Sequence, residues 1–400
     1  MEITEHGTES SPQQERSSSA QLLSESSSIS SRPSYSLPSL NLNGQCSTNP
    51  SLCQCISTLK GHSSYVSAIL VLGGSLYSGS SDRQIRVWTA AAAPSLGADK
   101  AQYYYSSHAV IRCKSVVKSL LVSGENLFSC HQDHKIRVWR ISSHHRLVKV
   151  LPTCRDRLLS LLSPRKRVEV RRHETCTWVH HVDAVSGLAA SADGSLLYSV
   201  SWDRTLKAWR TSDFKCVESV AKAHHDAINA IVVSRDGFVY TGSADATIKV
   251  WRRPPNGRTH SPVATLERHR SAVNALALST DGAVLYSGAG DCSVIVWEGG
   301  GGRMEARGAL VGHTEAVLCL STVAALVCSG SADRTVRVWC RKGGGGYTCL
   351  AVLELHGGPI KSLAMLRADP YSSTYLVYSG SMDCDIKVWK LFVPPSDGDA

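Results

Sequence analysis

The sequence predicts an all-β fold built from seven tandem antiparallel units, and three observations carry that prediction. Seven segments repeat one pattern: Ser or Thr, then Asp four residues later, then Trp six beyond it. Around each Asp the residues alternate between two faces with the two-residue period of a strand. Most units are also preceded by a His with an apolar residue four positions further on, as in His62 and Val66. Repeats take precedence over length, because 400 residues would otherwise suggest two or three domains.

Residues 1–50 contain fifteen serines and the turn-rich SRPSYSLPSLNLNG. Such a stretch buries too little apolar area to offset its ordering entropy and is expected to be a disordered tail, either phosphorylated or simply solubilising. The repeat region is expected over 51–395. Its first unit, SGSSDRQIRVW (78–88), holds Ser78, Asp82 and Trp88, with His62 ahead of it. The second, SCHQDHKIRVW (129–139), holds Ser129, Asp133 and Trp139, but Cys113 stands where the His should be, so this unit is expected to be less stable. The third, SVSWDRTLKAW (199–209), joins His181 to Ser199, Asp203 and Trp209. The fourth and fifth, TGSADATIKVW (241–251) and SGAGDCSVIVW (287–297), set His224 with Thr241, Asp245 and Trp251, and His269 with Ser287, Asp291 and Trp297. The last two, SGSADRTVRVW (329–339) and SGSMDCDIKVW (379–389), set His313 with Ser329, Asp333 and Trp339, and His356 with Ser379, Asp383 and Trp389.

These residue types suit one another. A His in the turn before a strand can donate to the hairpin Asp, and the Ser or Thr can hold the other polar partners as far as the Trp indole N–H. The reading is structural, not catalytic. Residues 53–62 (CQCISTLKGH) look like the strand that normally follows a unit's Trp, yet no Trp precedes them, whereas the chain ends soon after Trp389. The solution that removes a free sheet edge is for residues 54–59 to complete the last unit. The glycine runs at 299–302 and 343–346 are expected in exposed loops, with no Walker-type lysine after them. A longer first hairpin is expected in the last unit around 367–375.

On these arrays, and on GH at 61–62 and 312–313, the chain resembles WD40-repeat β-propellers over roughly 54–392. The resemblance implies a seven-bladed ring of four-stranded blades. It also implies that the residue after the Ser-x-Ser of each hairpin touches partners. That position holds Ser81, Gln132, Trp202, Ala244, Gly290, Ala332 and Met382, of which Trp202, Gln132 and Met382 are the candidate contacts. Trp202 is read either as an aromatic anchor or as packing beneath a neighbouring loop.

That loop is an insertion at 152–180. Successive blade tryptophans lie 70 residues apart from Trp139 to Trp209, against 42 from Trp209 to Trp251. If RLVKVL (146–151) is the outer strand of blade two, the insertion lies on the same face as the His and Asp turns. Within it DRLLSLL suggests a short amphipathic helical turn ended by Pro164. More than half of the chain's formal charge of +10 lies between His144 and His180, where nine basic residues face three acidic ones. The candidates are Arg155, Arg157, Arg165, Lys166, Arg167, Arg171 and Arg172. Three readings stand open: a docking loop in which arginines grip acidic groups, a nuclear localisation signal with a phosphosite at Ser163, or a basic loop packed on the ring. The motifs LPT, DRL, VEVRRH and DAVSGLA resemble a plant WD40 subfamily that includes JINGUBANG. This implies a regulatory plant protein of cytosol and nucleus, acting through protein partners.

Other functions fare less well. No hydrolase, metalloprotease, nucleotide-binding or kinase motif is present, so no catalytic residue and no cofactor is assigned. His173, Cys176, His180 and His181 have spacings a zinc ion accepts, but His181 belongs to its blade and no second Cys pair accompanies them, so no metal site is assigned. The basic patch lacks interleaved aromatics apart from Trp178, which argues against nucleic acid. The fourteen scattered cysteines are read as small buried hydrophobes, not a disulfide scaffold. No secretory leader or membrane span is expected, and the chain is read as a soluble, monomeric ring. The function expected is a non-catalytic scaffold for protein–protein interaction in plant regulatory complexes. The alternative, a substrate receptor of a cullin-type ubiquitin ligase, is weakened because no blade closes on Trp-Asp-x-Arg; a G-protein β-like subunit is weakened further because the first fifty residues carry no heptads.

Overall fold

A computed structural model describes residues 37–41, 52–91, 104–142, 145–153, 156, 167–171, 174–254, 257, 259–369 and 372–393. Strand β1 (Cys53–Leu59) opens the ring. Blade one comprises β2 (Val66–Leu72), β3 (Ser75–Ser80), β4 (Gln84–Ala91) and β5 (Tyr104–Arg112), paired antiparallel in sequence order from the innermost strand outward. Blade two repeats this with β6 (Val117–Ser123), β7 (Asn126–His131), β8 (Ile136–Arg140) and β9 (Arg146–Leu151). A separate hairpin follows, β10 (Arg167–Arg171) with β11 (Glu174–Thr177). Blade three holds β12 (Val185–Ala190), β13 (Leu196–Ser201), β14 (Leu206–Arg210) and β15 (Cys216–Val220), and blade four β16 (Ile228–Val233), β17 (Phe238–Ser243), β18 (Thr247–Arg252) and β19 (Ser261–Glu267). Blade five holds β20 (Val273–Leu278), β21 (Val284–Ala289), β22 (Ser293–Gly300) and β23 (Arg303–Val311), and blade six β24 (Val317–Val323), β25 (Leu326–Ser331), β26 (Val336–Arg341) and β27 (Tyr347–Leu353). In blade seven β28 (Ile360–Arg367), β29 (Thr374–Ser381) and β30 (Ile386–Phe392) are completed by β1, with Cys53 opposite Leu391 and Leu59 opposite Ile386. The protein is an all-β, seven-bladed propeller.

Strand alternation explains the packing. In blade one Leu76 lies opposite Trp88 and both face blade seven, where they join Val66, Tyr378 and Val388. The intervening Tyr77 and Val87 face blade two and join Val117, Leu127 and Trp139. The same division recurs around the ring, so the core consists of seven seams, each filled from two neighbouring blades. No blade has a wet face to spare, unlike a two-layer β fold with one solvated side.

Polar stitches cross the same seams near the axis. Ser67 Oγ donates to the Val117 carbonyl, Ser186 Oγ to that of Ile228, Asn229 Nδ2 to that of Val273 at 3.1 Å and Asn274 Nδ2 to that of Val317 at 3.0 Å. Cys319 Sγ donates to the Ile360 carbonyl, and Ser362 Oγ reaches that of Val66 at 3.2 Å across the closing seam. Each donor sits in an innermost strand and each acceptor is the first residue of the next one.

Three features differ from the sequence expectations. Residues 37–41, placed by expectation in an unstructured tail, lie along the outer strands of blades five and six: Leu40 N–H donates to the Ala309 carbonyl at 2.9 Å and Tyr347 N–H to that of Leu40 at 2.9 Å. Leu37 and Leu40 bury apolar surface there, and Gly308 leaves room, since a Cβ would come within 2.5 Å of the Pro38 carbonyl oxygen. The rest of residues 1–50 lies outside the described residues. Gly299 and Gly300 are not in a loop but extend β22, pairing with Met304 and Arg303. Finally, ten described cysteines are free, four of them buried as expected and six partly exposed, but Cys349 is disulfide-bonded.

The seams leave no volume at the glycine that follows the blade serine. A Cβ on Gly380 would lie 2.5 Å from Ser362 Oγ and 2.7 Å from Val66 Cγ1, at the seam that closes the ring. Gly380→Val is therefore expected to lower stability by about 1–3 kcal/mol through overpacking. Gly343→Ala, where a Cβ meets nothing within 4 Å, serves as the control. Thermal unfolding of both variants checks this, and equal melting temperatures would count against the seam as a tight contact.

Candidate partner-binding face

Each blade serine or threonine is the hub of a polar chain. The Trp indole donates to it at 2.8–2.9 Å in all seven blades: Trp88 to Ser78, Trp139 to Ser129, Trp209 to Ser199, Trp251 to Thr241, Trp297 to Ser287, Trp339 to Ser329 and Trp389 to Ser379. In six blades His Nε2 lies 2.7–2.8 Å from the same oxygen: His62, His181, His224, His269, His313 and His356. The other ring nitrogen, Nδ1, lies 2.8–3.2 Å from Oδ2 of Asp82, Asp203, Asp245, Asp291, Asp333 and Asp383 respectively.

Proton counting assigns the direction. A carboxylate only accepts, so Nδ1–H donates to it; Nε2 of the neutral ring then accepts the serine O–H, and the serine oxygen accepts the indole N–H. Every donor and acceptor is satisfied with the imidazole neutral. Burial pushes the pKa of His181 and His356 below the usual imidazole range against the pull of their aspartates. Burial alone would raise the aspartates, but hydrogen bonds from the histidines and from backbone N–H groups hold Asp82, Asp203, Asp245, Asp291, Asp333 and Asp383 below the carboxylate range.

Blade two departs, and the structure corrects the role expected for Asp133. With Cys113 ahead of the strand, the imidazole comes from His131, two residues after the hub. Its Nε2 lies 2.8 Å from Ser129 Oγ, and its Nδ1 donates to the Ser115 carbonyl at 3.2 Å. A backbone carbonyl thus replaces the aspartate. Asp133 turns to the Arg137 guanidinium at 2.5 and 3.0 Å. The signal in the sequence was His131 in a position otherwise held mainly by Ser, as in Ser80 and Ser201.

Two glycines of the GH pairs also gain a reason. A Cβ on Gly61 or Gly312 would meet the guanidinium of Arg86 or Arg337 at 2.7–2.8 Å, so these blades pair Gly with an Arg two residues before the Trp.

The hairpin turns carry the candidate contacts. Backbone N–H groups of Gln132, Trp202 and Met382 donate to the carbonyls of Val116, Ala184 and Pro359, just ahead of the innermost strands. This places all three around one mouth of the central channel. All are exposed, Trp202 at 40% and Met382 at 47%. The Lys118 ammonium sits 4.8 Å from the centre of the Trp202 ring.

The insertion enters this face beside blade three. Asp156 caps the Thr153 turn, accepting from Thr153 N–H at 3.1 Å and Oγ1 at 2.6 Å. The hairpin β10–β11 leads to Trp178, whose carbonyl accepts from the buried Lys207 ammonium at 2.7 Å. Arg167 and Arg171 lie on β10. Arg155, Arg157, Arg165, Lys166 and Arg172 lie outside the described residues, as do Ser163 and nearly all of DRLLSLL. Among the described residues no group of three His, Cys, Asp or Glu side chains could hold a metal ion, and no helix is long and apolar enough to cross a membrane.

Sequence reading also missed a buried site near the opposite ends of the strands. His260 donates its backbone N–H to Glu218 at 2.5 Å, its Nδ1 lies 2.6 Å from the second carboxylate oxygen, and Tyr198 closes on Nε2 at 3.2 Å. It belongs to a recurring seam contact in which the residue before the hub meets the next blade, as Tyr77 meets His145 and Tyr286 meets Tyr347.

Comparison with known proteins agrees with this architecture. Residues 53–89, 173–210, 214–252, 260–298, 305–340 and 347–390 match the WD40 family, described as WD domain, G-beta repeat. These segments make up more than half of the chain, and the irregular blade two is not among them. Similar proteins include Mitochondrial division protein 1 of Schizosaccharomyces pombe, 29% identical over 135 residues, which are 30% of this chain and 20% of that protein. Transducin beta-like protein 3 of Bos taurus is 28% identical over 173 residues, 39% of this chain and 21% of the relative. Ribosome biogenesis protein WDR12 homolog of Drosophila erecta is 28% identical over 134 residues, 29% and 31%. The chain thus spans a third or less of the length of these relatives.

The hub geometry sets two expectations. Ser329→Ala strands the Trp339 N–H and the His313 acceptor and should cost roughly 2–6 kcal/mol, at 1–3 kcal/mol for each unpaired buried group. Ser329→Thr should be tolerated, as Thr241 already serves in blade four; denaturant unfolding distinguishes the two. Burial, helped by the Arg137 charge, holds His131 at about 4. A histidine depressed on folding contributes stability above its unfolded value of about 6.5, and this is lost as pH falls toward the folded value. The melting temperature should therefore drop between pH 7 and 5, with His131 responsible for about 2 kcal/mol. His131→Gln should be less stable at pH 7 but should show a shallower pH slope.

Proposed function

We propose that this chain, which belongs to the WD40 family, is a non-catalytic scaffold that binds other proteins across the face bearing the His and Asp turns. The observation that carries the reading is Trp202. A large aromatic held 40% exposed by a fixed hairpin, lining the same channel mouth as the exposed Met382, belongs to none of the seven apolar seams that stabilise the ring. Rigid, exposed aromatics at the centre of a concave face are the residues that dominate protein–protein affinity. The basic insertion 152–180 is rooted beside the same blade through Trp178 and Lys207, and its charge suits partners with acidic or phosphorylated surfaces. The plant setting, in regulatory complexes of cytosol and nucleus, rests on the resemblance of the insertion and the strand after it.

The test is affinity purification from plant tissue of the wild-type chain, a form lacking residues 155–172, and Trp202→Ala. Both altered proteins should keep the wild-type melting temperature and lose a common set of partners. Unfolding of Trp202→Ala would refute the anchor role, and identical partner sets for all three would refute the face.

A further inference from the structure

The central channel holds two ammonium groups with no ion-pair partner among the described residues. Its cavity of about 560 Å³ opens beside Tyr65, Trp202 and Met382. The second residue of each innermost strand lines it. Four of these seven, Ser67, Ser186, Asn229 and Asn274, spend a donor on the next blade's backbone, as described above. Of the remaining three, Leu318 is apolar, and the other two are Lys118 and Lys361. Among the described residues no carboxylate lines the cavity. The nearby hairpin aspartates are already committed: Asp82, for example, accepts from His62, from Ser63 N–H and from Gln84 N–H.

The two lysines line this cavity from blades two and seven. Lys118 lies over the Trp202 ring, while Lys361 has no hydrogen bond or ion pair among the described residues. Lys361 is half-buried in the wall, and both burial and the charge of Lys118 lower its pKa. A half-buried ammonium facing a like charge is unfavourable unless an anion joins it. The strand positions themselves force the arrangement, because side chains alternate and these residues must point to the axis.

We propose that the channel mouth binds an oxyanion, a carboxylate or phosphoryl group presented by a partner protein, between Lys118 and Lys361, with Trp202 packed on the stem that carries it. The identity of the carrier rests on the scaffold reading above; the anion site itself does not. Lysines suit this role as point charges that can reorient around either group.

Two measurements on the full chain test the site. Capped pentapeptides Gly-Gly-X-Gly-Gly, with X as Glu, phosphoserine or Gln, are titrated calorimetrically at low salt, where exposed charges are least screened. Binding of the phosphoserine or glutamate peptide, with none of the Gln peptide, is expected, and which of the two binds identifies the group. Lys118→Met and Lys361→Met should each weaken that binding about tenfold or more, the value of one charge-assisted hydrogen bond. Independently of any variant, inorganic pyrophosphate should slow reductive methylation of Lys118 and Lys361 in the wild-type chain relative to exposed lysines such as Lys60. Equal binding of all three peptides, no binding of any, unaltered affinity in both variants, or unprotected lysines would overturn the proposal. Partner loss on Trp202→Ala is read separately, so the scaffold and the anion site can fail independently.

Discussion

Every blade of this protein has two apolar faces, and that single constraint governs the rest. A sheet buried on both sides needs a neighbour on both sides, and only closure supplies one to the first and last blades. Each of the seven cores is accordingly shared between two blades, so a blade contributes half of two cores and owns none. The closing seam is built like the others, with Val66 against Val388 and Ser362 reaching the Val66 carbonyl. Strand β1 completes the same blade from the other end of the repeat region, which ties the two ends together without a free edge.

The polar hubs are subordinate to that packing but fix the orientation of each hairpin. Blade two shows what the hub requires. It does not need an aspartate, nor a histidine at one place in the chain; it needs a neutral imidazole whose Nδ1–H has an acceptor and whose Nε2 faces the hydroxyl. His131 and the Ser115 carbonyl satisfy that. The same requirement explains why the Trp202-Asp203 pair misleads as a motif. Asp203 is the carboxylate of its hub, Trp209 is the indole, and Trp202 belongs to neither, which leaves its ring free for the surface.

The proposed function rests on polar and apolar groups that the ring leaves uncommitted. Around the axis most donors stitch one blade to the next, and around the mouth most turn positions hold small residues. Among the residues lining the channel the exceptions are Trp202, Met382, Lys118 and Lys361, and closure gathers them at one opening although they come from three different blades. The insertion reaches this face because the link from outer to next inner strand is the crossover that carries the hub histidine.

How much of this could be read from the chain depends on how far apart the interacting residues lie. The Ser/Thr–Asp–Trp spacing is local to one hairpin, where covalent geometry turns a fixed separation into a fixed contact; seven blades and the hub partners of six blades were legible for that reason, whereas the closing role of 54–59 was legible because an outer strand stands there with no Trp before it. Contacts between blades join residues some forty to three hundred positions apart, and no spacing announces them. The stitch from Ser362 to Val66, the seat of residues 37–41 on blades five and six, the Glu218–His260–Tyr198 cluster and the placing of Lys118 and Lys361 in one channel were decided by the tertiary structure alone. The amino-acid sequence by itself determined what each blade is, because a hairpin is closed by its own turn. Which residues of different blades face one another was decided by the ring, because only closure sets the distance across its axis.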